Sequence, residues 1–311
     1  MKTGFLFPGQ GSQYVGMGRE IAESHPLARQ TFDEADDALG FSLSGLCFSG
    51  PEDKLSLTEF TQPAILATSV ALARVLMAEG ITPDAVAGHS LGEFSGLVIA
   101  GSLDFADAVR LVSARGRYMQ EAVPEGVGRM SAVLGLDRES LGEVCEAAAQ
   151  GQIVSLANLN CPAQIVIAGH KEAVERAEEG AKAAGASRVI PLPVSVPSHC
   201  ALMEPAGDRL DEDMRALKLE DLNFPLINNC EAREVSVAAD VVLSARRQIS
   251  SPVLWGDSVQ SMINDYAIRC FVEVGPGKVL TGLLRRIDRK AIGFNVENTA
   301  SLEAAMEKLK A

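Results

Sequence analysis

Gly88-His89-Ser90-Leu91-Gly92 places one hydroxyl between two glycines, with one residue on each side of it. A serine hydroxyl becomes a useful nucleophile only when its backbone lifts it clear and a base takes its proton. The flanking sequence supplies the first condition. Asp84-Ala85-Val86-Ala87 reads as the end of a short buried strand, and Glu93-Phe94-Ser95-Gly96-Leu97-Val98-Ile99-Ala100 reads as a helix. A strand, a Gly-x-Ser-x-Gly turn and a helix make a nucleophile elbow. The turn is too sharp for side chains at its ends, which accounts for both glycines. The hydroxyl then sits beside a helix N-terminus, where free N–H groups and the helix dipole favour developing negative charge. The chemistry this permits is acyl transfer through an acyl-serine.

A base is needed within hydrogen-bond reach, and the chain has four histidines, at 25, 89, 170 and 199. His89 lies inside the elbow, with its side chain expected to point away from Ser90. His25 and His170 fall at element edges and read as solvated. His199, in Ser195-Val196-Pro197-Ser198-His199-Cys200, follows a stiff segment carrying Pro191, Pro193 and Pro197, and is the candidate base. Many acids lie between Ser90 and His199, but none sits in an evident loop motif after a strand. A Ser–His dyad oriented by a neutral group therefore stands beside a triad as an equal alternative. The glycine-rich loop Pro8-Gly9-Gln10-Gly11-Ser12-Gln13 lacks the Gly-Lys-[Ser/Thr] ending of a phosphate loop. It suggests instead an oxyanion site, with the backbone N–H groups of Gln10 and Leu91 as donors. Arg115 lies in a helix that is apolar on one face, and would grip a carboxylate bidentately if it points into the pocket. Gly116, beside it, hints at close helix packing.

Positioning these groups takes an α/β fold. Gly4–Phe7 reads as a buried strand, and helical periodicity appears at Pro26–Leu39, Gln62–Glu79 and Phe105–Val123. Between about Gly128 and Val194 the pattern changes. Arg129–Leu136, Gln152–Asn158, Gln164–Ala168 and Arg188–Val194 read as strands, with helices at Arg138–Ala149 and Lys171–Ala184. This β-α-β-β-α-β order is ferredoxin-like. The expected organisation is a hydrolase-like α/β core with a short parallel sheet, residues 1–125 and 196–311, and an inserted ferredoxin-like small domain, residues 126–195. A late strand, Ala267–Val274, ends in Gly275-Pro276-Gly277.

With 47% hydrophobic and 22% charged residues, the chain reads as globular. The start is too short for a signal peptide, and no apolar run approaches the ~18 residues of a membrane span. The six cysteines are scattered with no C-x-x-C pair, so reduced thiols in the cytoplasm are expected and no metal site is. A net charge of −13 argues against nucleic acid as a partner.

Taken together, the residues resemble the malonyl-CoA:acyl carrier protein transacylase family of type II fatty acid synthesis. The resemblance is carried by Phe7-Pro8-Gly9-Gln10-Gly11-Ser12-Gln13, Thr61-Gln62-Pro63-Ala64, Gly88-His89-Ser90-Leu91-Gly92-Glu93 and Arg115-Gly116. It continues in Pro193-Val194-Ser195-Val196-Pro197-Ser198-His199, Gln248 and Glu273-Val274-Gly275-Pro276-Gly277. It implies Ser90 as nucleophile, His199 as base and then acid, Gln10 and Leu91 as oxyanion donors, and Arg115 as partner of the malonyl carboxylate. It also implies that the main-chain carbonyl at Gln248 orients the histidine. The implied partners are malonyl-CoA and acyl carrier protein. Coenzyme A thioester is substrate, no cofactor is required, and a monomer is expected. Two departures stand out, both in the insert. Arg129 replaces a small residue and reads as a solvated surface arginine, and Asn160-Cys161-Pro162-Ala163-Gln164 replaces Asn-Ser-Pro-Gly-Gln. Because carriers are acidic, docking calls for a local basic patch. The candidates are Lys278 with Arg285, Arg286, Arg289 and Lys290, or Lys182 with Arg188. A serine hydrolase and a non-catalytic carrier-binding protein are the rival readings.

Overall fold

The computed structural model describes residues 2–194 and 196–310, so Ser195 of the segment leading to His199 lies outside the described residues. Its strands, in chain order, are β1 (Thr3–Phe7), β2 (Ala85–Gly88), β3 (Gly128–Leu134), β4 (Val154–Cys161) and β5 (Gln164–His170). They continue with β6 (Arg188–Pro191), β7 (Leu226–Ile227), β8 (Glu234–Val235), β9 (Cys270–Val274) and β10 (Ile292–Val296).

These strands form two sheets. The first has the order β10-β9-β1-β2-β7-β8 and is parallel except for β8. Every residue of β1, β2 and β9 is buried, as expected for strands covered on both faces by helices. The register pairs Phe7 with Gly88. The glycine-rich loop and the elbow therefore leave the sheet side by side at its C-terminal edge, where open parallel sheets present their sites.

Beside this sheet lies the helix Thr58–Ala78, which starts four residues before the Gln62 expected from the sequence. Proline is favoured in a first helical turn, but Pro63 stands beyond that turn, inside the helix. In the structure the first turn forms ahead of it, with the Thr61 N–H on the Leu57 carbonyl at 2.8 Å. The helix is long and apolar enough to cross a membrane, where no apolar run of that length was expected. It is mostly buried, packed within the protein against the helices Pro26–Leu39 and Phe105–Ala122. A Cβ on Gly116 would come within 2.6 Å of the Thr58 carbonyl oxygen, so the glycine lets the helix Phe105–Ala122 press onto its neighbour.

The second sheet has the order β4-β5-β3-β6 and is antiparallel. The helices Arg138–Ala149 and Lys171–Ala183 connect its strands in the ferredoxin-like order. A separate apolar core forms between sheet and helices from Val133, Leu141, Ile165, Ile167, Val174 and neighbours. Its last strand ends at Pro191 rather than Val194, where prolines withhold N–H groups from the ladder. In the first sheet β9 starts at Cys270, not Ala267, whose φ of 57° breaks the extended run. The second sheet is tied to Val253, in the link between the helices Ala238–Ser250 and Trp255–Asn264. The Leu159 N–H donates to the Val253 carbonyl, and the Val253 N–H donates to the Ala157 carbonyl, each at 2.8 Å.

Candidate active site

The elbow is built as tightly as its glycines suggest. A Cβ on Gly88 would stand 1.8 Å from the Gly92 carbonyl carbon, and one on Gly92 would stand 2.1 Å from the Phe7 carbonyl oxygen. Ser90, between them, has φ 51°, a conformation that L-residues avoid and that costs of order 1–3 kcal/mol. His199 has φ 62°. Both residues are thus held in sparsely populated backbone conformations, as is common where a site over-determines its geometry.

These two residues meet. Ser90 Oγ lies 2.7 Å from His199 Nε2, and His199 Nδ1 lies 2.9 Å from the main-chain carbonyl oxygen of Gln248. A carbonyl only accepts, so Nδ1 carries the ring proton and Nε2 is left to accept from the Ser90 hydroxyl. Burial, and then the nearby Arg115 cation, hold the imidazole neutral by pushing its pKa down to about 3. The neutral-partner alternative is therefore the geometry present, with Gln248 at the position implied by the resemblance.

A cavity of about 290 Å³ opens over the pair, lined among others by Gln10, Gln62, Leu91 and Arg115. Neither the Gln10 nor the Leu91 N–H finds an acceptor among the described residues. Arg115 is 1% exposed and has no ion-pair partner within 4.0 Å among the described residues. Two neutral amides hold it instead. Nη1 donates to Gln62 Oε1 at 2.8 Å and Nη2 to Gln248 Oε1 at 2.9 Å, while the buried Nε–H has no partner. The guanidinium stands 5.3 Å from the Phe94 ring centre. Burial lowers its pKa to about 10, which leaves it charged at neutral pH. A guanidinium has five N–H donors, and two of them are partnered here, so three are not. The nearest acid in its field is buried Glu93, which desolvation raises to about 7.

Several side-chain contacts around the site go beyond what the sequence singled out, among them that of Gln248, expected only through its main-chain carbonyl. Asn229 bonds both sides of the elbow, with Oδ1 accepting the Ser90 N–H and Nδ2 donating to the Gly88 carbonyl, each at 2.7 Å. Gln248 Nε2 donates to the Ser90 carbonyl at 2.8 Å. Asn160 Oδ1 takes the His89 Nε2 proton at 2.8 Å, which turns that ring away from Ser90. Gln62 appeared only as part of a motif. These are amides acting across 53 to 158 residues of chain, so no local spacing marks them. Arg129 is not solvated as expected. It pairs with Glu178 at 2.7 Å and with Glu175 at 3.4 Å. His170 is not simply solvated either, since its Nδ1 accepts the Ile153 N–H at 2.9 Å.

A strained serine paired with a buried neutral imidazole, two unclaimed backbone donors and a buried cation define an acyl-transfer site. In agreement, a family model for the acyl transferase domain matches residues 4–303, and the chain belongs to that family. More particularly, the chain is 51% identical over 305 residues to the malonyl CoA-acyl carrier protein transacylase of Escherichia coli O157:H7, covering 97% of this chain and 98% of that protein. Its structure is similar, with a TM-score of 0.96 and 47% identity, to the acyl carrier protein S-malonyltransferase of Vibrio cholerae, over 98% of this chain and 100% of the other. It is also similar to a malonyl-transacylase solved in complex with its type II PKS acyl-carrier protein, with a TM-score of 0.97 and 48% identity over 99% of this chain and 100% of the other.

Proposed function

We propose that this protein transfers the malonyl group from malonyl-CoA to the phosphopantetheine thiol of acyl carrier protein, through a malonyl-Ser90 ester, and so supplies extender units for fatty acid synthesis. The observation that carries this reading is a buried arginine, held by two amide oxygens and by no carboxylate, in the lining of the same cavity as the Ser90–His199 pair. A buried cation without a carboxylate is costly unless a ligand completes it, and malonyl differs from acetyl by one carboxylate.

In this mechanism His199 Nε2 takes the Ser90 proton as Oγ attacks the thioester carbonyl. The oxyanion forms against the N–H groups of Gln10 and Leu91, each donor typically worth about 2.7–4 kcal/mol. The C–S bond breaks, and coenzyme A leaves with the proton from His199. The carrier's thiol then gives its proton to His199 and attacks the ester, the same donors receive the second oxyanion, and as it collapses the acyl–Oγ bond breaks and Ser90 leaves with the proton from His199. The cycle is ping-pong, with coenzyme A thioester as a substrate and no cofactor in any step. Arg115 holds the carboxylate, and Gln62 and Gln248 hold Arg115.

Residues 126–195 form an inserted domain covering the elbow in this reading, and the protein works as a cytoplasmic monomer. The acidic carrier docks through exposed Lys278, Arg285, Arg286, Arg289 and Lys290, none of which has an ion-pair partner among the described residues. In the other candidate patch, Lys182 with Arg188, Lys182 is paired with Glu179 at 2.7 Å.

The test is intact mass after mixing the protein with malonyl-CoA alone, beside a Ser90→Ala control. A single malonyl adduct that persists on the wild type only, and is discharged by carrier, is the expected result. Free malonate with no lasting adduct would make the protein a hydrolase, and neither product would make it non-catalytic.

A further inference from the structure

Strand β7 ends at Ile227, one strand over from the elbow, and the chain continues through Asn228 to Asn229. The register pairs Val86 with Leu226 and Ala87 with Ile227. Beyond Ala87 the ladder stops, because β2 must leave the sheet to form the turn. At that point the Asn229 side chain takes over the hydrogen bonding that the backbone relinquishes, bonding the Gly88 carbonyl and the Ser90 N–H at 2.7 Å each. Asn229 is itself fully buried and fixed. Its N–H donates to Glu93 Oε2 at 2.7 Å, and its carbonyl accepts the Leu254 N–H at 2.8 Å.

We infer that Asn229 is a positioning residue for the nucleophile: its carboxamide holds the elbow in the strained conformation that aims Ser90 Oγ at His199. The inference rests on Ser90 being the nucleophile, as proposed above. The chemistry of the site is narrow. One acceptor must face an N–H while one donor faces a carbonyl on the far side of a single residue, His89, and a carboxamide offers both at once. An ionised aspartate offers two acceptors and repels the Gly88 carbonyl, and alanine offers neither. A protonated aspartic acid restores the pattern, with its C=O on the Ser90 N–H and its O–H on the Gly88 carbonyl. Glu93 supports the clamp by holding the Asn229 backbone, and the Val253–Leu254 segment ties it to β4 of the second sheet.

The experiment uses the full chain as wild type, Asn229→Ala and Asn229→Asp. It measures the rate of malonyl-Ser90 formation by quenched intact mass from pH 5 to pH 9, together with the KM for malonyl-CoA and the thermal midpoint. Asn229→Ala is expected to slow acylation about a hundredfold, the scale of a misplaced reacting group, with KM for malonyl-CoA within about twofold, because Arg115 and its partners are untouched. Asn229→Asp is expected to be as slow at high pH and to recover at least tenfold relative to Asn229→Ala as pH falls. His89, Glu93, Arg115, His199 and Cys230, the ionisable groups in and around the elbow, are common to both variants, so this ratio isolates residue 229. Should Asn229→Ala fail to fold, the pH profile of Asn229→Asp against wild type decides. Acylation in Asn229→Ala within threefold of wild type, or no acid recovery in Asn229→Asp, overturns the inference. A wild type that forms no acyl-Ser90 overturns the reading beneath it instead.

Discussion

Two arginines illustrate how one side chain is put to opposite uses. Arg129, on β3, lies against Glu178 with Nε at 2.7 Å and Nη2 at 3.3 Å from its two carboxylate oxygens, and Glu175 adds a third contact. Ser131 donates to the same Glu178. The charge is matched, the pair is partly exposed, and its pKa is pushed up by that carboxylate. Arg115, far more deeply buried, has amide oxygens where Arg129 has carboxylates. An amide orients a guanidinium without neutralising it. Arg129 is therefore complete in itself and ties β3 to the helix Lys171–Ala183, whereas Arg115 is pre-oriented and electrically unfinished.

Removing the unfinished charge should have the largest effect. Arg115→Ala is expected to lower the malonyl-to-acetyl preference of acylation about a hundredfold, because a bidentate, charge-assisted contact of roughly 1.5–3 kcal/mol is lost along with its field. Acetyl loading should stay level or rise. Equal losses for both acyl groups would place Arg115 in the scaffold alongside Arg129.

Turning Arg115 into a second Arg129 should cost less. Gln62→Glu sets a carboxylate where an amide now lies 2.8 Å from Nη1. The expected result is about a tenfold higher KM for malonyl-CoA, about 1.4 kcal/mol, with acetyl-CoA unaffected. An unchanged malonyl KM would show that the neutral cradle is not what keeps the cation available.

A smaller effect should follow pH through Glu93. Its pKa is raised to about 7, so below that the acid is neutral and above it a negative charge shares the field of Arg115. The malonyl-to-acetyl preference should fall about threefold between pH 6 and pH 8, and Glu93→Gln should make it flat. Stability obeys the same sign. The Glu93 contribution is complete below the ordinary glutamate range and fades as pH rises through about 7. His199, lowered to about 3, contributes above the ordinary histidine range and loses that contribution as pH falls toward 3. Denaturant titrations of wild type and Glu93→Gln from the ordinary glutamate range to above pH 7 would show this fade vanish in the variant only.

Arg129→Ala should leave the acyl preference within about twofold. It strands Glu178, whose side chain is only 10% exposed, and should lower unfolding free energy by about 1–3 kcal/mol in urea. A large change in acyl preference would erase the contrast between the two arginines.

The parts of this arrangement that sequence made legible are the local ones. The elbow needs two glycines within five residues of chain, and the clashes at Gly88 and Gly92 are with backbone in that turn or directly beside it. The small sheet was legible because its period-2 strands and amphipathic helices alternate in a recognisable order. His199 could be reached by elimination among four histidines. The partners of these groups were hidden for a physical reason. Gln62, Asn229 and the Gln248 side chain act as single amides delivered by separate elements, and an amide's role is set by what faces it rather than by its neighbours in sequence. Arg129 misled for the same reason, since Glu175 and Glu178 lie 46 and 49 residues away. The short strands β7 and β8, two residues each, carry too little pattern to read, yet β7 ends where Asn229 must stand.

The most direct test of the central claim, that Arg115 chooses what Ser90 carries, needs only the wild-type protein. Equimolar malonyl-CoA and acetyl-CoA are mixed with it, the reaction is quenched within one turnover, and the acyl groups on Ser90 are weighed by mass spectrometry. The account predicts malonyl over acetyl by at least about tenfold, the worth of one charge-assisted hydrogen bond. Equal occupancy of Ser90 by the two acyl groups would contradict it.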